Sequence, residues 1–473
     1  MPAVPFPRTS TPGQAPGEDQ GRLINCFVEK NGDLFSWKKN GDLFSWKRVP
    51  GLARFADYGL SPFRGMMATD VFVYVAAGNR ILTIDRTGKV TLLAGDIPGT
   101  GPVQFARNNR FPSEIVFVTE YGAYVVDNLV VRVYPDGDLP YVGSVAFLDG
   151  YFLFTTDEGV IWASDLNTTE VNALSFATAE AKPDGLLRGV VAGGLYYACG
   201  QNSIEVWQNV GSAPFPLARA SVIQTGLKAR RAIAGFQDGW DLPFLFVAAD
   251  NTVRQMNGYS PVRVSTPDVE RSIAGSEPDD LEAMVYTFGG NAIWSLSGKD
   301  WTWEYNASTQ SWHERESAGL RRWRATESVK TFGGWIVADH LSNALLRLNQ
   351  AYTMEVGEAL TWGADSVPMK SFPTRSVIAT VSLDFSLGRG ELNGDVPVET
   401  EPKVMVSWSH DGAASWASPL ERSLGREGRY VGPIRINRLG MTTHHGFRLR
   451  WRVSDPVYTS FMGATVEGRD RRA

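Results

Sequence analysis

One pattern recurs through the middle of this chain: an apolar strand, a tight turn, a second apolar strand, another turn and a third strand. It runs from about residue 62 to residue 355 and is clearest in VAFLDGYFLFTTDEGVIWASD, VVAGGLYYACGQNSIEVWQN, VYTFGGNAIWSLSGKDWTWEY and VKTFGGWIVADHLSNALLRLN. The first turn of each unit falls near Asp70, Asn109, Gly150, Gly194, Gly239, Gly290 and Gly334. That spacing, roughly 40–50 residues, is the length of a four-stranded propeller blade. The inner turns follow at Gly78-Asn79, Gly122, Glu158-Gly159, Gly200, Asp250-Asn251, Ser297-Gly298 and Ser342-Asn343. Dipeptides of this kind close hairpins because they accept positive φ.

A twisted four-stranded sheet cannot bury both faces alone, whereas sheets stacked radially cover one another and leave only short edges. The pattern therefore predicts an all-β chain built on a β-propeller of about seven blades; a series of β-sandwiches is the competing arrangement. The 48 glycines and 15 tryptophans fit many short strands joined by tight turns. No WD dipeptide or kelch signature marks a particular propeller class.

Residues 1–25 hold five prolines and lack the apolar run of a signal peptide. They are expected to form a flexible arm. Residues 26–61 form a strand and hairpin segment, residues 62–360 the propeller, and TWGADSVPMKSFPT a linker. Beyond it, residues 372–473 predict a separate C-terminal antiparallel β-sandwich with strands SVIATVSLDFS, KVMVSWS and GFRLRWRV. In the last, Phe447, Leu449, Trp451 and Val453 share one face and Arg448, Arg450 and Arg452 the other. No stretch of 18 apolar residues is present, so no membrane span is expected. Cys26 and Cys199 form no disulfide framework.

The nonapeptide KNGDLFSWK is written twice in direct succession, from Lys30 to Lys47. A two-residue turn at Asn40-Gly41 would pair Trp37 with Phe44 and Phe35 with Trp46. All four aromatics would then lie on one face, where cross-strand aromatic pairs stabilise a hairpin. Such a face is a candidate docking surface, or a clasp closing the ring of blades; a tolerated duplication in a surface loop is the plain alternative.

Motifs for chemistry are sparse. There is no Walker A run, no GxSxG elbow, no HExxH and no EF-hand loop. His444 and His445 are neighbours and would point to opposite faces of a strand. SHDGAASW, Ser409 to Trp416, approaches the Asp box of sialidases, with Ala413 in place of glycine and Ser415 in place of threonine; it is expected to be a turn device. Trp294, Trp301, Trp303 and Trp312 suit blade packing or a sugar platform. Arg321, Arg322 and Arg324, with Arg448, Arg450 and Arg452, form a candidate basic interface. No catalytic residue, metal ligand or cofactor site is expected. A net charge of −5 gives no global basic field for nucleic acid.

LINCF…PGLARF near the start, DGLLRGVVAGGLYYACGQNSIEVWQNVGSAPFPLARA mid-chain and VGPIRINRLG…HGFRLRWRVSDPV near the end resemble, in that order, one phage virion family. This is the tail accessory factor, or packaged-DNA stabilisation protein, of P22-like short-tailed phages, and the likeness covers most of residues 20–468. It implies a homohexameric ring below the portal and its head-tail adaptor protein, a hub or nozzle that extends the DNA channel. It further implies contacts with the tail needle and with tailspike or fibre proteins, retention of the packaged genome, and passage of DNA without sequence-specific binding. The expected location is the virion tail, after synthesis in the host bacterial cytoplasm. The proline-rich start and the doubled nonapeptide depart from the family pattern. A carbohydrate-binding or sialidase-like propeller, which would carry several Asp boxes, is the second class, and a monomeric cellular scaffold the third.

Overall fold

The computed structural model describes residues 2–14, 18–31, 43–179, 185–370, 374–392, 396–429 and 432–471. Among the described residues, seven four-stranded antiparallel blades follow one another around an axis: five are separate sheets, the sixth belongs to a nine-stranded sheet and the seventh to a six-stranded one. They occupy residues 63–92, 104–133, 144–178, 186–223, 233–263 and 282–314, and the seventh combines residues 325–349 with Gly51–Asp57. All seven opening turns and all seven inner turns expected from the sequence connect strands within these blades.

The middle strands are buried nearly throughout rather than on alternate residues because neighbouring blades cover both their faces. Ile115–Thr119 and Asn291–Ser297 are buried at every position, whereas the outermost Val90–Leu92 and Val171–Thr178 are largely exposed. Each core lies between blades. Val73, Val75, Leu82 and Ile84 of blade 1 meet Ile336, Ala338 and Leu345 of blade 7, and Tyr197 and Val206 of blade 4 meet Ile233 and Phe246 of blade 5. The innermost strands Ala325–Thr331 and Phe63–Ala68 touch, which closes the circle.

Closure is made by the N-terminal segment. Gly51–Asp57 is the outer strand of blade 7, in antiparallel register from Asn349↔Gly51 to Ala344↔Asp57. The clasp is therefore the segment just after the doubled nonapeptide.

The C-terminal region is not separate. Trp362–Asp365, expected to be linker, is a strand with Trp362 and Ala364 fully buried. The sheet of blade 6 runs on from Ser311–Glu314 through Arg22–Ile24 and Trp362–Asp365 to Arg448–Val453, Lys403–Ser409 and Leu420–Ser423. A facing sheet orders Cys26–Asn31, Leu43–Arg48, Ser460–Arg471, Arg375–Phe385 and Ile434–Met441, with Ala3–Val4 added to Ser460–Arg471. One core joins the two: Val28, Trp46, Phe385 and Phe461 from the second pack with Leu23, Trp362, Leu449 and Trp451 from the first. The alternation of GFRLRWRV is as expected, with Phe447, Leu449, Trp451 and Val453 all in this core.

The proline-rich start is not a free arm. Ala3 pairs with Thr465, Val4 and Phe6 enter the core, and Ser10 is fully buried with its N–H donated to Trp312 O at 2.8 Å. Prolines set its extended course, and three β pairings fix it.

Candidate functional site

The innermost strands of blades 1, 4 and 7 carry register shifts beside Arg64, Arg188 and Glu327. A bulge re-aims side chains in a strand that would otherwise bury them between blades. A Cβ on Gly65 would sit 2.1 Å from Val103 O, so glycine alone permits the approach of blades 1 and 2 here.

Two cavities open along the axis. One of about 410 Å³ is lined by Thr119, Glu120, Tyr141, Arg230 and Arg231, and one of about 370 Å³ by Met67, Phe105, Phe147, Phe236 and Lys330. A waist of about 40 Å³ shares residues with both and is flanked by Arg64, Gln104, Arg188, Arg231 and Glu327.

Most charge in this passage is neutralised in place. Arg64 donates to the carbonyls of Gly101 at 2.7 Å, Gly78 at 3.0 Å and Pro98 at 2.9 Å. Arg230 pairs with Asp157 at 2.6 Å, while Glu282 bridges Arg231 and Arg322, each at 2.5 Å. Glu120 accepts the amides of Gly101 and Thr100, which hold its carboxyl below the usual range. Burial pushes Glu327 up to about 7 against the pull of Arg231 and Arg188, and burial lowers Arg188 to about 10. The passage thus combines the ion pairs of Arg230 and Arg231 with two arginines, Arg64 and Arg188, held by backbone carbonyls, and with one carboxyl, Glu327, that burial favours protonated. Among the described residues, no group of three or more His, Cys, Asp or Glu is placed to hold a metal ion. The sequence signal for this site was charge inside the apolar first strand of a unit: Arg64 in FRGMMA, Arg188 in LLRGVVA, and Glu327 with Lys330 in ATESVKT.

The candidate basic interface is mostly internal. Arg324 forks onto Asp339 at 3.1 and 2.6 Å, and Arg322 is held by Glu282; only Arg321 of the three is exposed. Arg448 is fully buried, donating to Ser366 O at 2.9 Å and pairing with Asp19 at 2.7 Å. Arg450 forks onto Asp365 at 2.9 and 2.7 Å, and Arg452 reaches the same carboxylate at 2.7 Å. Burial pushes the Asp365 carboxyl up, but Arg452 and Arg450 outweigh it and hold the group well below the usual range. Arg450 and Arg452 thus satisfy a buried acid within the chain.

The expected aromatic hairpin has another register. Cys26–Asn31 pairs with Leu43–Arg48, so Lys30 lies opposite Phe44 and Val28 opposite Trp46. Trp46 donates its indole N–H to Pro7 O at 3.0 Å and packs against Phe6 and Phe461, while Arg8 lies 3.6 Å over the Phe44 ring. Both aromatics are used by the chain's own N-terminus and C-terminal core. Phe35, Trp37 and the Asn40-Gly41 turn lie outside the described residues.

The Asp-box-like stretch is a locked turn. Asp411 accepts Ser415 Oγ at 2.5 Å and Ser415 N at 2.9 Å, which draw its carboxyl down to about 2. Trp416 supports Arg450, 3.8 Å over its ring. Trp294, Trp303 and Trp312 are buried in blade 6 and Trp301 packs half-buried against the same core, so packing engages all four tryptophans.

Residues 44–353 match the phage-stabilisation family model described as bacteriophage P22 Gp10, β-propeller. No curated protein matches the chain. Among solved structures it is similar to U3-55K, at 11% identity and TM-score 0.41 over 63% of this chain and 98% of that one. Virginiamycin B lyase from Staphylococcus aureus gives 12% identity and TM-score 0.42 over 63% and 98%. A chain of the mitotic checkpoint complex gives 11% and 0.43 over 67% and 99%.

Proposed function

Because the chain belongs to the bacteriophage P22 Gp10 β-propeller family, we propose that it is a structural, non-enzymatic protein of the phage tail. In this role copies form a ring below the portal and its adaptor, extend the DNA channel, help retain the packaged genome and anchor distal tail parts. The family match over residues 44–353 carries the reading.

The molecule's physics supports it. A closed propeller clasped by its own N-terminal segment presents few free edges and behaves as a rigid block, which a load-bearing ring requires. Charges along the axial passage are held by ion pairs and by backbone carbonyls, and the Asp-box-like turn is consumed by its own hydrogen bonds. A mildly acidic chain also suits a conduit that DNA must traverse without sticking.

The test is mass spectrometry of purified particles, together with a mutant phage lacking the gene. The protein is expected in virions at a fixed ratio to the portal, and mutant heads are expected to leak packaged DNA. Absence of the protein from particles would refute the assignment.

A further inference from the structure

Charge is segregated along the chain. Residues 111–180 contain eleven Asp and Glu against one basic residue, Arg132, whereas residues 366–473 contain 15 Lys and Arg against 11 Asp and Glu. The acidic stretch builds most of blades 2 and 3, and the basic stretch builds the C-terminal sheets.

The topology sets these two regions at opposite ends of the molecule. The C-terminal sheets continue from the outer strand of blade 6. In a ring of seven, blades 2 and 3 are each three steps from blade 6, one in each direction, and so flank the point across the axis.

Both ends present a strand with one free edge. Val171–Thr178, outermost in blade 3, carries no charge and no proline, and exposes Leu174 (66%) and Phe176 (43%). Natural proteins rarely leave an eight-residue edge so unprotected unless something covers it. Beside it stand the exposed carboxylates Asp165 and Glu170. At the far end, Ile434–Met441 is the terminal strand of its sheet, with Arg435 and Arg438 outward, Met441 exposed and no ion pair to either arginine among the described residues.

We propose that the blade 3 edge of one copy seats against the Ile434–Met441 edge of a second copy, with Asp165 and Glu170 facing Arg435 and Arg438. The patches differ and lie at opposite ends, so the contact is head-to-tail and propagates around a closed ring. This deepens the ring assigned above and rests on it.

Sedimentation velocity of the full chain tests the contact. Wild type is expected to self-associate at low salt, with affinity falling roughly tenfold or more as screening rises. R435E/R438E and D165K/E170K, each checked for unchanged thermal unfolding, are expected to stay monomeric alone and to co-assemble when mixed. L174D should weaken association without changing the fold. A wild-type chain that remains monomeric at the highest soluble concentration in low salt, or reversed variants that associate like wild type, would overturn the proposal. Variants that associate normally while the protein is present in particles would remove this contact and leave the tail assignment standing.

Discussion

Glu327 shows how one side chain reports on the axis. Its folded carboxyl titrates near 7 against an ordinary 4.5, with burial as the largest cause. The fold therefore favours the protonated form. That contribution is fully present below about pH 4.5 and is lost as pH rises through 7. Glu327→Gln should accordingly be more stable than wild type by about 1–3 kcal/mol at pH 8, after allowance for screening in the cavity, and nearly equal to it at pH 4.5. Urea unfolding at the two pH values checks this, and an equal difference at both would contradict the assigned burial. Asp365 is the opposite case: it too is buried, but Arg450 and Arg452 hold it ionised. A regular alternation revealed the arginines in the sequence. Their acid, some 85 positions earlier in a stretch that looked like linker, did not stand out.

At the scale of elements, the strand pairings separate local from distant information. Turn chemistry placed all seven blades, because a hairpin's register is set by the residues at its own bend. The doubled nonapeptide misled for the same reason: Asn40-Gly41 is a strong local signal, yet Leu43–Arg48 pairs with Cys26–Asn31. What decides is Trp46, whose burial against Phe6 and Phe461 and hydrogen bond to Pro7 hold this strand in the C-terminal core. Trp46→Ala is expected to destabilise the C-terminal sheets by about 3–5 kcal/mol, whereas Phe44→Ala, at a half-exposed position, should cost about 1 kcal/mol. Denaturant unfolding followed by tryptophan fluorescence distinguishes the two; equal effects would argue against this packing.

For the whole molecule, residues 2–57 act as a strap rather than a tail. They contribute strands to both C-terminal sheets and the closing strand of blade 7. Removing residues 1–57 should open blade 7, expose the edge of Ala344–Asn349 and turn a cooperative unfolding transition into a broad, aggregating one. Calorimetry and size-exclusion chromatography measure this; a truncated chain that stays monomeric and unfolds sharply would show that the ring closes without its clasp. By itself the sequence determined the strand content, the approximate number of blades and the turns, since these depend on neighbours within about 12 residues and on which faces can be buried. Tertiary structure alone decided which distant strand closes the ring, how the proline-rich start docks, and which carboxylate each arginine meets. Those choices are made by burial between segments tens to hundreds of residues apart, and no local periodicity records them.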